Sequence, residues 1–222
     1  MNERAVILFS GGQDSTTCLG WARNRYDCQA IVFDYGQRHH IEIIQAEKIA
    51  ALLNVPLTRL DIPNYAHIVD SALLDQGDVS APHGRQSHLP AAYVPNRNAL
   101  FLTLAHAFAQ HVDAGVLVGG MCQTDFSGYP DCRRDFIDAM ALALNMGSEV
   151  DIRIETPLMD IDKAQTFALA EAEGVLDLVL RESHTCYNGL RTPHEWGGGC
   201  NACPACRLRA RGWEKYKETR HA

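Results

Sequence analysis

Two groups of residues in this chain have types and spacings suited to chemistry. The first is Ser10-Gly11-Gly12-Gln13-Asp14-Ser15. Paired glycines let the backbone approach a ligand with no Cβ in the way. A helix opened by such a loop turns unpaired N–H groups and the positive end of its dipole toward an anion, which favours a phosphate. The loop is not a Walker A, because G-x-x-x-x-G-K-[ST] is absent, and it is not G-x-G-x-x-G. Taken alone it also suits an ordinary strand-to-helix turn in which Asp14 or Ser15 caps the helix. The second group is Cys186 with Cys200-x-x-Cys203-x-x-Cys206. Four thiolates can close a tetrahedral Zn²⁺ site with no open position, so such a metal is structural. Gly197, Gly198 and Gly199 supply a tight approach to it. Ferredoxin-type runs share the same spacing, which makes an Fe–S cluster the rival occupant.

Further candidates are scattered. Tyr35-Gly36-Gln37-Arg38-His39 follows an apolar run. Arg97, at the mouth of a helix, could bind a carboxylate or phosphate in bidentate fashion. Residues 120–133 are dense in groups that recognise a heterocycle: Asp125 and Asp131 accept from amino and ring N–H groups, Phe126 and Tyr129 stack, and Arg133 holds an acid. Lys163 opens a helix, where it opposes the dipole, and this mildly favours a purpose. Cys18 and Cys28 read as core residues, Cys122 and Cys132 as packing residues in a polar loop, and His106 and His111 as helix-surface or core histidines.

The elements that position these residues follow from periodicity. Apolar runs at 5–9, 29–35, 57–62, 114–119 and 152–156 read as strands buried in a parallel sheet. Segments 16–25, 40–53, 99–111, 136–146 and 163–174 read as helices. In the second helix Ile41, Ile44, Ile49, Leu52 and Leu53 lie near one face. In the third, Leu100, Leu104 and Phe108 form the expected buried stripe. Asp160 or Asp162 caps the last. Alternation of strand and helix implies right-handed crossovers, and the loops at the carboxyl ends of parallel strands build the binding crevice. A short helical turn is expected at 68–75. Residues 76–90, rich in Gly, Pro and His, read as an active-site lid. Residues 207–220 read as a solvated basic helix.

The chain has 222 residues, is 46% hydrophobic and carries a formal net charge of −7. That suits a globular core and lacks the basic footprint of a protein that grips a nucleic-acid backbone, so a small-molecule substrate is expected. The first residues lead straight into a strand with no signal peptide, and no apolar run is long enough to span a bilayer. A cytoplasmic protein is expected, in which eight cysteines serve as metal ligands or core residues rather than disulfides. The expected division is a nucleotide-binding α/β domain at 1–183 and a zinc-binding C-terminal subdomain with a terminal helix at 184–222.

The Ser-Gly-Gly-x-Asp-Ser loop after a first strand resembles the PP-loop of the ATP pyrophosphatases. Taken together, SGGQDSTTC, DYGQRH, YVPNRN, DFSGYPDCR, ETPLMDIDKA and Cys186 with the CNACPAC run resemble the 7-cyano-7-deazaguanine synthase family of the queuosine precursor pathway, in the same order over nearly the whole chain. The resemblance implies a Rossmann-like parallel sheet flanked by helices with a small C-terminal zinc-binding segment. It implies that 7-carboxy-7-deazaguanine is adenylated by ATP with Mg²⁺, that ammonia displaces AMP to give an amide, and that a second ATP carries the amide to the nitrile. ATP would lie on Leu8, Phe9, Ser10, Gly11, Gly12, Gln13, Asp14, Ser15, Thr16, Thr17 and Cys18. Asp14, Ser15 and Lys163 would act in catalysis. Tyr35, Arg38, Arg97, Asp125, Phe126, Tyr129, Asp131 and Arg133 would hold the substrate. One structural Zn²⁺ per chain would sit on Cys186, Cys200, Cys203 and Cys206. The family commonly forms homodimers, and stable nucleic-acid binding is not expected. The length leaves no room for a glutaminase domain, so free ammonia is the expected nitrogen source. The rival readings are a PP-loop tRNA thiolase with an Fe–S cluster and a non-catalytic nucleotide-binding zinc module.

Overall fold

A computed structural model describes residues 2–75, 77–85, 87–124 and 128–220. Asp125 and Phe126 lie outside the described residues, so their expected roles have no structural counterpart here.

Five short strands, β1 (Arg4–Leu8), β2 (Asp27–Asp34), β3 (Leu57–Asp61), β4 (Val116–Val118) and β5 (Arg153–Glu155), form one parallel sheet in the order β3-β2-β1-β4-β5. In the central strand Ala5, Val6 and Ile7 are fully buried. Ala5 pairs with Cys28 on one side and Val116 on the other, which places β1 between the two halves of the fold. Strand order reverses there, and this is where ligands bind in open α/β sheets.

The alternating side chains of β1 feed two cores. Ala5 and Ile7 pack with residues of α1 (Gln13–Arg23) and α2 (Ile41–Leu52), while Val6 packs with residues of α3 (Arg97–His111). A helix α4 (Arg134–Ser148) lies against α3 through Leu102 and Ile137. The first core also receives α5 (Lys163–Ala172), a short α6 (Leu176–Arg181), which sequence reading missed, and Tyr216 of α7 (Pro204–Arg220). Before α7, a small antiparallel pair, β6 (Pro193–His194) and β7 (Gly197–Gly198), brings the glycine run alongside the cysteines.

Several local expectations are corrected. The buried face of α2 is Ile43, Gln45, Ala46, Ile49 and Ala50. Ile44 and Leu52, expected inside, are each 53% exposed. The helix is apolar on more than one face, so periodicity alone pointed to the wrong one. In α3 the fully buried face is Leu102, Ala105, His106 and Ala109, with Leu100, Leu104 and Phe108 only partly covered beside it. The segment 68–75 carries one turn, closed by Leu74 N–H to Ser71 C=O at 2.9 Å, and a 3-10 helix precedes it at Tyr65–His67. Neither Asp14 nor Ser15 caps α1; Gly12 stands at the cap position. Of the two candidates for α5, Asp162 is the cap, accepting from Gln165 N–H at 2.9 Å and completed by the Gln165 side chain.

The largest correction is α7. Read as solvated, it buries Cys206, Arg209, Gly212 and Tyr216. Arg209 is fully buried and donates to the carbonyls of Trp196 (2.8 Å) and Val179 (2.6 Å) and to Ser183 Oγ (3.0 Å) and Thr185 Oγ1 (2.9 Å). Burial pulls its guanidinium down to about 10, still charged at neutral pH. A cation whose donors are met by fixed acceptors can stand inside, and the composition of the helix did not reveal those acceptors. Among the described residues no helix is long and apolar enough to cross a membrane.

Candidate active site

A cavity of about 820 Å³ opens at the carboxyl ends of the strands. Its floor is the loop after β1. Gly11 adopts φ +74, and a Cβ there would lie 2.6 Å from Ala46 N and 2.7 Å from Glu42 O, so only glycine lets α2 press against the loop. Ser10 and Ser15 hydroxyls meet at 3.2 Å, and Ser15 Oγ also accepts from Ser10 N–H at 3.2 Å. The first intrahelical bond of α1 runs from Thr16 N–H to Gly12 C=O (3.0 Å), so the amides of Gln13, Asp14 and Ser15 precede it. The Gln13 amide is buried with neither its nitrogen nor its oxygen bonded. A buried polar group left so in a loop of this shape is what a bound ligand would satisfy. Leu8, Phe9, Ser10, Gly12, Gln13, Asp14 and Ser15 line the cavity. Gly11, Thr16, Thr17 and Cys18 lie behind it, the last three buried in α1.

Lys163, expected to act in catalysis, is buried, and its Nζ donates to both carboxylate oxygens of Asp14 at 2.7 Å. Gly212 of α7 packs directly on Lys163, where any Cβ would clash. Gly120, after β4, backs Asp14 closely: a Cβ there would lie 3.3 Å from it. The pair thus sits at the switch point between β1 and β4, on the cavity wall.

The far end of the cavity is aromatic and carries the buried guanidinium of Arg97. Arg97 Nη1 donates to the buried Tyr35 hydroxyl at 3.2 Å. Gln37 folds the β2 loop by accepting from Tyr35 N–H (2.9 Å) and donating to Phe33 C=O (3.2 Å), which fixes Tyr35 over the cavity. Arg38, Phe101, Tyr129 and Tyr187 complete this wall. Asp131 and Arg133 do not reach it. Asp131 is buried and accepts from Asn98 N–H at 3.0 Å, so it holds the first turn of α3, and Arg133 is the exposed cap residue of α4. A carboxylate that can recognise a base edge can equally satisfy a helix start, and only the fold distinguishes the two.

The region read as a lid forms a lip over the cavity. Val79, Ser80, His88, Leu89 and Pro90 line it, and bonds such as His83 N–H to Leu89 C=O (2.7 Å) order its backbone. Cys122 and Cys132 also reach the wall, and the Cys122 thiol donates to Ile161 C=O at 3.2 Å. His106 is a core histidine bonded to Asn145 at 3.0 Å.

Sequence reading did not place Glu42, Arg207, Arg211 or His184 at the site. Glu42, in the first turn of α2, faces the cavity; its signal was an acid set inside the run Ile41-Glu42-Ile43-Ile44. Burial pushes its carboxyl up to about 7, opposed by the charge of Arg97. Arg207 and Arg211 of α7 also line the cavity, one helical turn apart. His184 N–H bonds to Gly11 C=O at 2.9 Å, so the C-terminal segment is latched to the phosphate-type loop.

Cys186, Cys200, Cys203 and Cys206 come together with their sulfurs within 4.8 Å of one another. Cys200 and Cys206 Sγ lie 3.8 Å apart, close to the edge of a tetrahedron with metal–sulfur bonds of about 2.3 Å. Cys200 Sγ accepts from the N–H groups of Cys203 (3.2 Å) and Ala202 (3.4 Å), donors that suit a charged thiolate. The group could hold a single metal ion. A multi-iron cube would place its thiolates on separate irons and farther apart.

Residues 4–217 match the family model described as queuosine biosynthesis protein QueC. A 7-cyano-7-deazaguanine synthase of Wolinella succinogenes is 53% identical over 220 residues, covering 97% of this chain and 94% of the relative. Proteins of the same name from Helicobacter pylori strain P12 and Maricaulis maris are 47% and 48% identical, covering 97% and 98% of this chain and 96% and 95% of theirs. Among solved structures, a predicted subunit of a tRNA methyltransferase from Methanocaldococcus jannaschii matches at TM-score 0.45 and 16% identity, covering 76% of this chain and 74% of that one, a likeness too slight to argue from. With a single family model spanning the sheet, the cavity and the cysteine cluster together, the chain belongs to the QueC family of queuosine biosynthesis proteins.

Proposed function

We propose that the chain is a 7-cyano-7-deazaguanine synthase, an ATP-dependent ligase that converts 7-carboxy-7-deazaguanine and ammonia to the nitrile through an adenylated acid and an adenylated amide. The observation that carries this reading is one continuous cavity with a phosphate-type loop at one end and Arg97 among aromatic rings at the other. A carboxylate would have to expel oxide, which is a poor leaving group, and transfer to AMP replaces it with a good one. The loop amides of α1 with Ser10, Gln13 and Ser15 would stabilise the departing pyrophosphate, with Lys163 adding charge beside them. Asp14 holds Lys163 in place and, with the Mg²⁺ that accompanies ATP, completes the phosphate end. Arg97 would take the substrate carboxylate, while Tyr35, Arg38 and Tyr129 shape the pocket for a flat base.

The four-cysteine group would hold one structural Zn²⁺, closed to substrate by its four sulfurs and tying the C-terminal segment to the loop through His184. The segment 76–90 would act as a lid over bound nucleotide and substrate; hydrogen exchange there unchanged by both would rule this out. A homodimer, a cytoplasmic location and the absence of stable nucleic-acid binding complete the proposal. The dimer is supported by α4, which buries only Ile137 fully and leaves Leu142 and Met146 63% and 72% exposed. The deciding assay supplies purified protein with ATP, Mg²⁺ and ammonium, with and without the carboxy base. Two AMP per nitrile, with the base read by mass spectrometry, supports the synthase. AMP without nitrile retains the pyrophosphatase chemistry and rejects this substrate.

A further inference from the structure

The synthase reaction makes a demand that the phosphate end cannot meet. Nitrogen enters as ammonium with all its hydrogens and leaves as a nitrile with none, so a base must act at nitrogen. Asp14 is held by Lys163. His184 places Nε2 2.9 Å from Cys186 C=O, and its Nδ1 and the Nε2 of His39, on the same wall, are buried without a partner. Burial keeps both rings neutral, so neither offers the negative charge that would hold an ammonium ion. Burial pushes the Tyr35 phenol up, away from use as a base near neutral pH.

Glu42 is placed differently. Its backbone carbonyl is pressed against Gly11, which fixes it to the phosphate-type loop. Its side chain lies on the cavity wall, between that loop and the aromatic end. Arg97 from α3, Tyr35 from the end of β2 and Tyr187 from the C-terminal segment face it. Among the described residues no hydrogen bond or ion pair engages its carboxylate, and what surface it keeps borders the cavity. A carboxylate left unpaired inside a cavity is costly and suggests a cationic guest.

We propose that Glu42 is the general base for the nitrogen nucleophile: its carboxylate binds ammonium beside the activated acid, takes a proton and releases ammonia onto the acyl-adenylate carbon. The new C–N bond forms as the C–O bond to AMP breaks, and the electron pair departs with AMP. The proton passes from Glu42 to solvent, and the same carboxylate takes the next proton from nitrogen as the adduct collapses to the amide. The carboxyl, held at about 7, is divided between its two forms near neutral pH, as a general base requires. This inference rests on the proposed synthase reaction.

The test compares wild type, Glu42→Gln and Glu42→Asp in three assays. Pyrophosphate exchange into ATP that depends on the carboxy base reads adenylation alone. Amide formation is then read with ammonium and with hydroxylamine, which is already neutral at pH 7. Glu42→Gln is expected to keep exchange within about threefold and to lose ammonium-dependent amide formation by about 10²–10⁴-fold. It should keep hydroxamate formation, and Glu42→Asp should recover part of the ammonium rate. Equal losses of exchange and amide formation would overturn the proposal by making Glu42 a structural or substrate-holding residue. Unchanged ammonium use would overturn it directly. If Glu42→Gln fails to fold, Glu42→Asp decides: the pH at which its ammonium rate is half-maximal must move while that for hydroxylamine does not. Wild type without base-dependent exchange would overturn the synthase reading itself.

Discussion

At the phosphate end of the cavity, Ser10, Gly12, Gln13, Asp14 and Ser15 are neighbours in sequence, and several of them bond to one another. At the other end, Glu42 comes from α2, Arg97 from α3, and Tyr35, Tyr129 and Tyr187 from the loops after β2, before α4 and before β6. The first arrangement is local: two glycines and a helix start shape it wherever the strand ends. The second exists only once β2, α2, α3 and the C-terminal segment have docked. The phosphate end should therefore tolerate little change within the loop itself, whereas the base end should be sensitive to distant parts of the fold.

The largest test removes the metal that would tie these ends together. Structural zinc supplies about 10–16 kcal/mol of apparent free energy in small domains. Cys203→Ser, or chelation of the wild type, should therefore release the metal, loosen the His184–Gly11 latch and abolish adenylation. Metal analysis with circular dichroism and pyrophosphate exchange checks this; full adenylation by metal-free protein would mean that the phosphate end is self-sufficient.

Next in size is Lys163→Ala. Removing a buried cation aimed at the loop should lower adenylation by about 10²–10³-fold, the scale of losing one preorganised charge-stabilising donor. A change confined to thermal stability would reduce Lys163 to a partner for Asp14.

Glu42→Gln carries a stability signature separate from its kinetics. Between the unfolded value of 4.5 and the folded value of about 7, the native state keeps a proton that the unfolded chain has lost. Native stability therefore falls as pH rises through this window, by about 3 kcal/mol in all. Glu42→Gln should be more stable than wild type at pH 8 and equal to it at pH 4, as measured by urea denaturation. An unchanged difference at the two pH values would mean that Glu42 is solvated.

The smallest effects separate two arginines. Arg97→Ala should raise KM for the carboxy base by about 10–100-fold, as expected for a lost charged hydrogen bond of about 1.5–3 kcal/mol. Arg133→Ala, exposed and off the cavity, should change it less than about twofold. Reversal of this order would move the carboxylate to the α4 end.

The sequence by itself determined the parallel sheet, the glycine-bearing turn from β1 into α1 and the set of four cysteines. Each rests on short-range chemistry: apolar runs of strand length, paired glycines before a helix, and ligand spacing. A helix cap at Asp160 or Asp162 was legible in the same way, and the structure chose Asp162. Tertiary structure alone decided which faces of α2 and α3 are buried, because a helix with apolar residues all round has no preferred side until it docks. It also made α7 a buried helix, because Arg209 needs acceptors on Trp196, Val179, Ser183 and Thr185 that no local pattern predicts. It turned Asp131 from a candidate base-reader into the support of α3 and brought Glu42 onto the cavity wall. A charged side chain has the same chemistry wherever it stands, but its role depends on which partners and how much water the rest of the chain leaves beside it.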